Sequence, residues 1–261
     1  MRLTVCSETV FGDRPLVERF AAISRLGTPA IELWGLPADN VAAVQKGLHA
    51  ADCRLELFCG NRDHSLIDPQ QRAGFLAELQ QSLSHAARLG CSRLTILSDQ
   101  VNDGGIPVPP PMPLTEDQKY ESMFAGLRAA ATLAEAANIT LLLEPLNTKV
   151  DHPGYTLCHS AQAFEVVRRI GSPRVKVLYD VYHMQIMEGN LIATLEANLE
   201  EIGHIHVADV PGRHEPGTGE INYSNIARML KGSNYRGFVG LECMPRSDSA
   251  AAIRAFQAVF E

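Results

Sequence analysis

The chain is short of several residue types, and each shortage removes a class of function. It has one tryptophan and five lysines, and its 23 basic residues are outnumbered by 30 acidic ones, for a net charge of −7. A nucleic-acid surface needs a basic stripe to neutralise phosphates, so the composition argues against such a partner. None of the six cysteines (Cys6, Cys53, Cys59, Cys91, Cys158, Cys243) forms a CxxC pair. Most lie on or beside apolar runs, which points to buried free thiols and a reducing compartment. No stretch approaches the ~18 apolar residues that span a membrane. The start, MRLTVCSETVFGDR, lacks the apolar core and small-residue cleavage site of a signal peptide. A cytoplasmic protein with no membrane partner is therefore expected. No Ser/Gly linker or break in composition divides the 261 residues, so one domain is expected over 1–261.

What the chain does have is strict alternation. Short β-rich runs at 3–6, 30–34, 54–59, 93–97, 140–144, 175–180, 204–208 and 238–242 are separated by longer segments. Those segments, at about 15–26, 38–51, 69–89, 115–137, 160–170, 190–202, 222–231 and 248–260, carry helical patterns. Eight such pairs predict the α/β class and a single (β/α)8 TIM barrel. Residues 92–97 and 175–178 have few exposed-type side chains, as a parallel strand covered on both faces requires. An open doubly wound sheet usually shows a Gly-rich first turn, and SETVFGDR carries none. Two loops stand out. NDGGIPVPPPMP (102–113) follows the fourth predicted strand and is too rich in Pro and Gly for a helix. PGRHEPGTGEIN (211–222) follows the seventh. Both lie on the face where barrel enzymes place their chemistry.

Four acid or imidazole side chains recur at the ends of the last four predicted strands. They are Glu144 in ITLLLEPLN, Asp180 in RVKVLYDVYH, His206 in GHIHVAD and Glu242 in GFVGLEC. Side chains alternate across a strand, so all four can share the inward face at the barrel mouth. Three buried carboxylates facing one another require a cation. Oxygen ligands suit Mg²⁺ or Mn²⁺, the imidazole shifts the choice toward Mn²⁺ or Co²⁺, and Zn²⁺ stays open. No organic cofactor is expected. Three further residues are candidates for substrate binding. His183, three residues past Asp180, is either in reach of a substrate hydroxyl or a surface loop histidine. Arg213 offers a planar fork suited to a carboxylate, or is a solvated loop arginine. Glu32, inward beside Trp34, can meet a substrate hydroxyl or a ligand histidine, or simply cap the strand. Gly217 and Gly219 read as tight-turn glycines, because Glu215 and Glu220 beside them disfavour a phosphate. Lys176 has the parity for a Schiff base but lies deep, so a buried ion pair is expected.

The motifs EPLN, DVYHMQ and PGRHEPGTGEIN, together with Glu242, resemble the hydroxypyruvate isomerase family. That family sits within the xylose-isomerase-like barrels, which also include ketose 3-epimerases and endonuclease IV. The resemblance covers essentially the whole chain and is strongest from Leu141 to Glu242. It implies that Glu144, Asp180, His206 and Glu242 bind one divalent ion, and that Glu144 and Glu242 flank the reacting carbons as an acid/base pair. The family usually carries Gln at the seventh-strand ligand, in a run like HVQIAD. Here HIHVAD places His206 there, which is similar to the ketose 3-epimerases. The implied reaction is proton transfer through a metal-bound enediolate of a small hydroxy-carbonyl acid. Return of the proton to the neighbouring carbon isomerises, as from hydroxypyruvate to tartronate semialdehyde; return to the opposite face of the same carbon epimerises. The same chemistry supports a decarboxylase or dehydratase of a 3-oxo sugar acid. A nuclease is opposed by the negative charge, and a non-catalytic binder needs no two opposed carboxylates. The expected partner is an oxo acid or ketose, with homo-oligomers common among similar barrels.

Overall fold

In the computed structural model, which describes residues 1–36 and 38–261, the strands close into a barrel in sequence order. They are β1 (Arg2–Cys6), β2 (Ala30–Leu33), β3 (Arg54–Cys59), β4 (Arg93–Ile96), β5 (Thr140–Leu143), β6 (Val175–Asp180), β7 (Ile202–Val207) and β8 (Phe238–Leu241). Every neighbouring pair is parallel, including β8 with β1. The helices outside are α1 (Leu16–Ser24), α2 (Val41–Ala50), α3 (Arg72–Leu89), α4 (Glu116–Ala137) and α5 (Ser160–Ile170). They continue with α6 (Val181–Met187), α7 (Leu191–Asn198), α8 (Tyr223–Gly232) and α9 (Ser249–Phe260). The expected (β/α)8 architecture is the one observed. No helix among the described residues is long and apolar enough to cross a membrane.

Local chemistry sets the helix ends. Thr115 and Gln118 form a reciprocal capping box that starts α4, and Asp248 accepts the Ala250 and Ala251 amides to start α9. Gly90 closes α3 in the left-handed conformation, at φ 67°. Helix α6 is absent from the sequence reading. It begins directly where β6 ends, because Asp180 turns its carboxylate back onto the Tyr182 and His183 amides, at 2.7 and 3.4 Å.

The apolar core has two parts. A large outer layer joins the barrel to the helices, and a small cluster of Leu57, Leu142 and Leu178 fills the barrel axis. Strand β7 needs a correction of face to serve both. Ile202 belongs to the outer layer, yet His204 and His206 point inward. Register provides it: Val177 pairs with Ile202 and Leu178 with His204, so Gly203 is an extra residue in the ladder. A Cβ at Gly203 would lie 2.5 Å from Leu142 Cδ2 and 2.9 Å from Lys176 Cβ, so the bulge requires glycine. At the opposite end Arg93 pairs with Glu56 at 3.3 Å, and the Arg2 guanidinium lies 3.9 Å above the Phe238 ring. Lys176 is not in the buried ion pair expected of it. Its long stem carries the ammonium out of the barrel, where it donates to the Glu200 carbonyl at 2.7 Å.

Candidate metal and acid-base site

Strands β5 to β8 bring the four residues of the sequence pattern to one point. Asp180 and His206 are Cα partners across β6 and β7, and His206 faces Gly240, two residues before Glu242. The backbone holds the other two at the same height, through Glu144 N–H to the Ile96 carbonyl and Glu242 N–H to the Val207 carbonyl. Ligand atoms of Glu144, Asp180, His206 and Glu242 all lie within 4.8 Å of one another, and all four residues are buried.

The donor set fits a divalent ion. His206 Nε2 lies 2.7 Å from Glu32 Oε2, which fixes one ring proton there and turns Nδ1 to the carboxylates. That Nδ1 is buried with no hydrogen-bond partner, 3.5 Å from Glu242 Oε2 and 3.8 Å from Glu144 Oε1. An imidazole nitrogen so placed among three carboxylates is a site a hard or borderline cation completes, in place of the proton on Nδ1. Glu32 itself sits below His206. Its second oxygen accepts from Thr4 Oγ1 and lies 2.8 Å from His204 Nε2. Among the alternatives open for Glu32, the geometry shows the contact with the histidine, and Glu32 also lines the cavity. Gly240 makes room for it, since a Cβ there would sit 2.5 Å from Glu32 Oε1.

The 211–222 loop delivers Arg213. Buried Asp209 organises it by accepting the amides of Val210, Gly217 and Ile221 at 3.0, 2.8 and 3.0 Å. Gly217 takes a positive φ and Gly219 packs against the Val210 carbonyl where a Cβ has no room, so both are turn glycines. Arg213 adopts φ 54°, a left-handed conformation that costs a non-glycine residue energy. Its Nη2 is 2.6 Å from Glu242 Oε2 and 3.9 Å from Asp180 Oδ2, so this fork is already engaged with the carboxylate cluster. His183 is buried on α6 and not on a surface loop. Its Nδ1 accepts the Asn147 amide at 3.2 Å, which leaves the proton on Nε2, 3.5 Å from Asp180 Oδ2.

The electrostatics separate the two glutamates. Burial raises the Glu144 carboxyl and outweighs the His206 imidazole beside it. Burial also acts to raise Glu242, but the Arg213 guanidinium and His206 overcome it and hold that carboxyl below the usual range. Asp180 is pushed up to about 7 by burial, against the pull of Arg213. His206 is disfavoured as a cation by burial, yet Glu32 and Glu242 lift it well above the ordinary imidazole range. His183 is driven down by burial and by Arg213, and is neutral.

Above the cluster is a cavity of about 300 Å³. Arg62 is a wall the sequence did not single out, while Trp34 and the 102–113 loop, expected on this face, line it too. Trp34, the one tryptophan, donates its indole N–H to Glu242 Oε1. Arg62 enters from the loop after β3, and the 102–113 loop contributes Asp103, Gly104 and Gly105. That loop folds on itself, with Asn102 N–H to Ile106 at 3.0 Å and Val108 N–H to Gln100 at 2.8 Å. His152 Nδ1 pins it at the Gly105 carbonyl, at 2.6 Å. Trp34 and Arg62 lie just beyond strand ends, the same positional signal that singled out Glu144 and Glu242.

The profile of the xylose isomerase-like TIM barrel family matches residues 20–259, and the chain belongs to that family. Among its curated relatives, a hydroxypyruvate isomerase of Escherichia coli (strain K12) is 33% identical, over 85% of this chain and 76% of the relative. A 2-oxo-tetronate isomerase of Cupriavidus necator is 29% identical, over 94% of this chain and 93% of the relative. The crystal structure of an AP endonuclease, family 2, from Brucella melitensis superposes with a TM-score of 0.88 at 29% identity and 98% coverage of both chains.

Proposed function

We propose that this chain, an enzyme of the isomerase and epimerase type, isomerises a small hydroxy-carbonyl acid of the hydroxypyruvate or 2-oxo-tetronate kind with one divalent ion. The observation that carries the reading is the meeting of Glu144 and Glu242, with Asp180, around one histidine nitrogen that has no hydrogen-bond partner. The names of the relatives support the substrate class. Mg²⁺ or Mn²⁺ suits the oxygen-rich set, with Co²⁺ or Zn²⁺ admitted by the imidazole.

A divalent ion held by Glu144, Asp180, His206 and Glu242 supplies Lewis-acid stabilisation of the charge that builds on the substrate oxygens. The side chains perform the proton transfers. Glu242, kept ionised by Arg213, is the base that takes the proton from the carbon beside the carbonyl. Glu144, with its carboxyl raised, is the acid that returns one to the neighbouring carbon. His183 presents Nε2–H toward the same space and donates to a substrate hydroxyl. Trp34 holds Glu242 from the mouth side and limits water access. Epimerisation is the second reading, favoured by His206, because the resembling isomerases carry Gln at that place. It differs in the carbon to which Glu144 returns the proton: the one Glu242 deprotonated, on its opposite face.

The test is NMR in D2O with Mg²⁺- or Mn²⁺-loaded protein. Deuterium is expected at the carbon beside the carbonyl, with a new aldehyde signal from hydroxypyruvate and a new 3-ketone signal from 2-oxo-tetronate. Deuteration of 2-oxo-tetronate at C3 with loss of optical rotation and no new carbonyl signal selects the second reading, and loss of carboxylate or water moves the assignment to a lyase. Glu242→Gln is expected to lower turnover by about 10²- to 10⁴-fold with unchanged circular dichroism. Near-normal turnover in that variant sinks the mechanism.

A further inference from the structure

We propose that Arg62 binds the substrate carboxylate and makes the site select oxo acids over neutral ketoses; this rests on the isomerase reading above. Glu144, Asp180, His206, Glu242 and Arg213 occupy the β5–β8 side of the cavity with one another, which is where the reacting hydroxy-carbonyl would meet the ion. A substrate carboxylate must settle elsewhere. In a barrel closed in sequence order, β3 lies halfway round from β7, which carries His206. Arg62 lines the cavity from the loop after β3.

Its situation is that of a receptor awaiting an anion. Among the described residues, Arg213 is the other cavity guanidinium, and it is taken by Glu242 and Asp180. Arg62 makes no ion pair among the described residues, and its Nη2 has only a long contact to the Asn102 carbonyl, at 3.4 Å. Yet its position is fixed. Its backbone N–H donates to Glu78 Oε1 at 2.6 Å, and its stem lies along Gly35, where a Cβ would be 3.6 Å from Arg62 Cδ. The cavity histidines are engaged elsewhere: His206 with Glu32, His183 with the Asn147 amide and His152 with the Gly105 carbonyl. Asp103 also lines the cavity, but it is exposed and does not pair with Arg62. A planar fork with unspent donors across from a carboxylate cluster matches a substrate with a carboxylate at one end and the reacting hydroxy-carbonyl at the other. A ketose with a terminal hydroxymethyl group leaves that fork unpaired.

The experiment uses pairs of equal length, hydroxypyruvate with dihydroxyacetone and 2-oxo-tetronate with erythrulose, on Mg²⁺-loaded protein. Trp34, the one tryptophan, borders the cavity, so its fluorescence reads occupancy. The wild type is expected to bind each acid about tenfold or more tightly than its neutral partner. Arg62→Gln is expected to weaken acid binding by about 10- to 100-fold and bring the acid-to-ketose ratio near one, with Arg62→Lys between. A ratio unchanged in Arg62→Gln, or an equal loss for acid and ketose, overturns the assignment. Deuterium exchange in the same samples separates the two readings. Acid-selective binding that Arg62→Gln abolishes, without exchange in the wild type, keeps Arg62 and sinks the isomerase reading. Exchange with no acid preference does the reverse, and failure of the wild type to bind either acid overturns both.

Discussion

Glu8 shows how a single residue near the site is held at a cost. It lies half-buried in the loop after β1, and its Oε1 accepts the Trp34 backbone N–H at 3.0 Å. Burial pushes its carboxyl up to about 7, because that hydrogen bond only partly replaces water and the Glu242 charge adds to the rise. The folded form therefore keeps a proton that the unfolded chain releases. Stability falls as pH climbs from the ordinary carboxyl range through 7, and the loss is complete above it. Allowing for partial exposure, the penalty at pH 8 is about 1–2 kcal/mol. Glu8→Gln keeps the acceptor for Trp34 and removes the charge. Calorimetry is expected to show the variant with the higher Tm at pH 8 and a gap that narrows toward pH 4. A gap of constant size across that range means the effect is not ionisation.

At the level of elements, the junction of β6 and α6 gives Asp180 two tasks. It contributes an oxygen to the carboxylate cluster of the proposed ion site and caps the helix that carries His183. The two separate by substitution. Asparagine is as good a cap as aspartate but a poorer ligand for a hard ion. Asp180→Asn is thus expected to keep its stability in EDTA yet lose bound Mn²⁺ on dialysis, while Asp180→Ala also loses about 1 kcal/mol of stability. Unchanged metal content in the asparagine variant removes Asp180 from the ligand set. The same junction marks where sequence reading stops. The strands were legible because buried parallel strands are short apolar runs, and the meeting of Glu144, Asp180, His206 and Glu242 follows from parity at their ends. Helix α6 was not, since it is seven residues long and its cap is also the last residue of a strand. The Gly203 bulge was hidden too, because HIHVAD alone shows a regular alternation and only the register against β6 exposes the extra residue. The engagement of Arg213 with Glu242, and the open fork of Arg62, depend on loop paths that no local pattern encodes.

At the scale of the whole molecule, the proposed ion site predicts that stability is coupled to the ion. The barrel axis is apolar around Leu57, Leu142 and Leu178, and the mouth above it gathers Glu144, Asp180 and Glu242 with Glu32 beneath. The unfolded chain scatters those carboxylates, so a divalent ion binds the folded state selectively. At a free concentration of about 100 Kd this linkage adds ~2.7 kcal/mol. For a chain of this size each 1 kcal/mol moves Tm by about 2–4 °C, so the rise from EDTA to saturating Mn²⁺ is expected to be roughly 5–10 °C. Glu32 tunes that increment without touching the ion, by fixing the proton on His206 Nε2. Loss of such a partner weakens a metal site by about 10- to 100-fold. Glu32→Gln is therefore expected to keep the EDTA-treated protein folded while cutting the Mn²⁺ increment at fixed concentration by half or more. Thermal denaturation with and without Mn²⁺ measures both. If the wild type melts at one temperature in EDTA and in Mn²⁺, the four ligands do not hold an ion, and the buried carboxylates must be neutralised by protons alone.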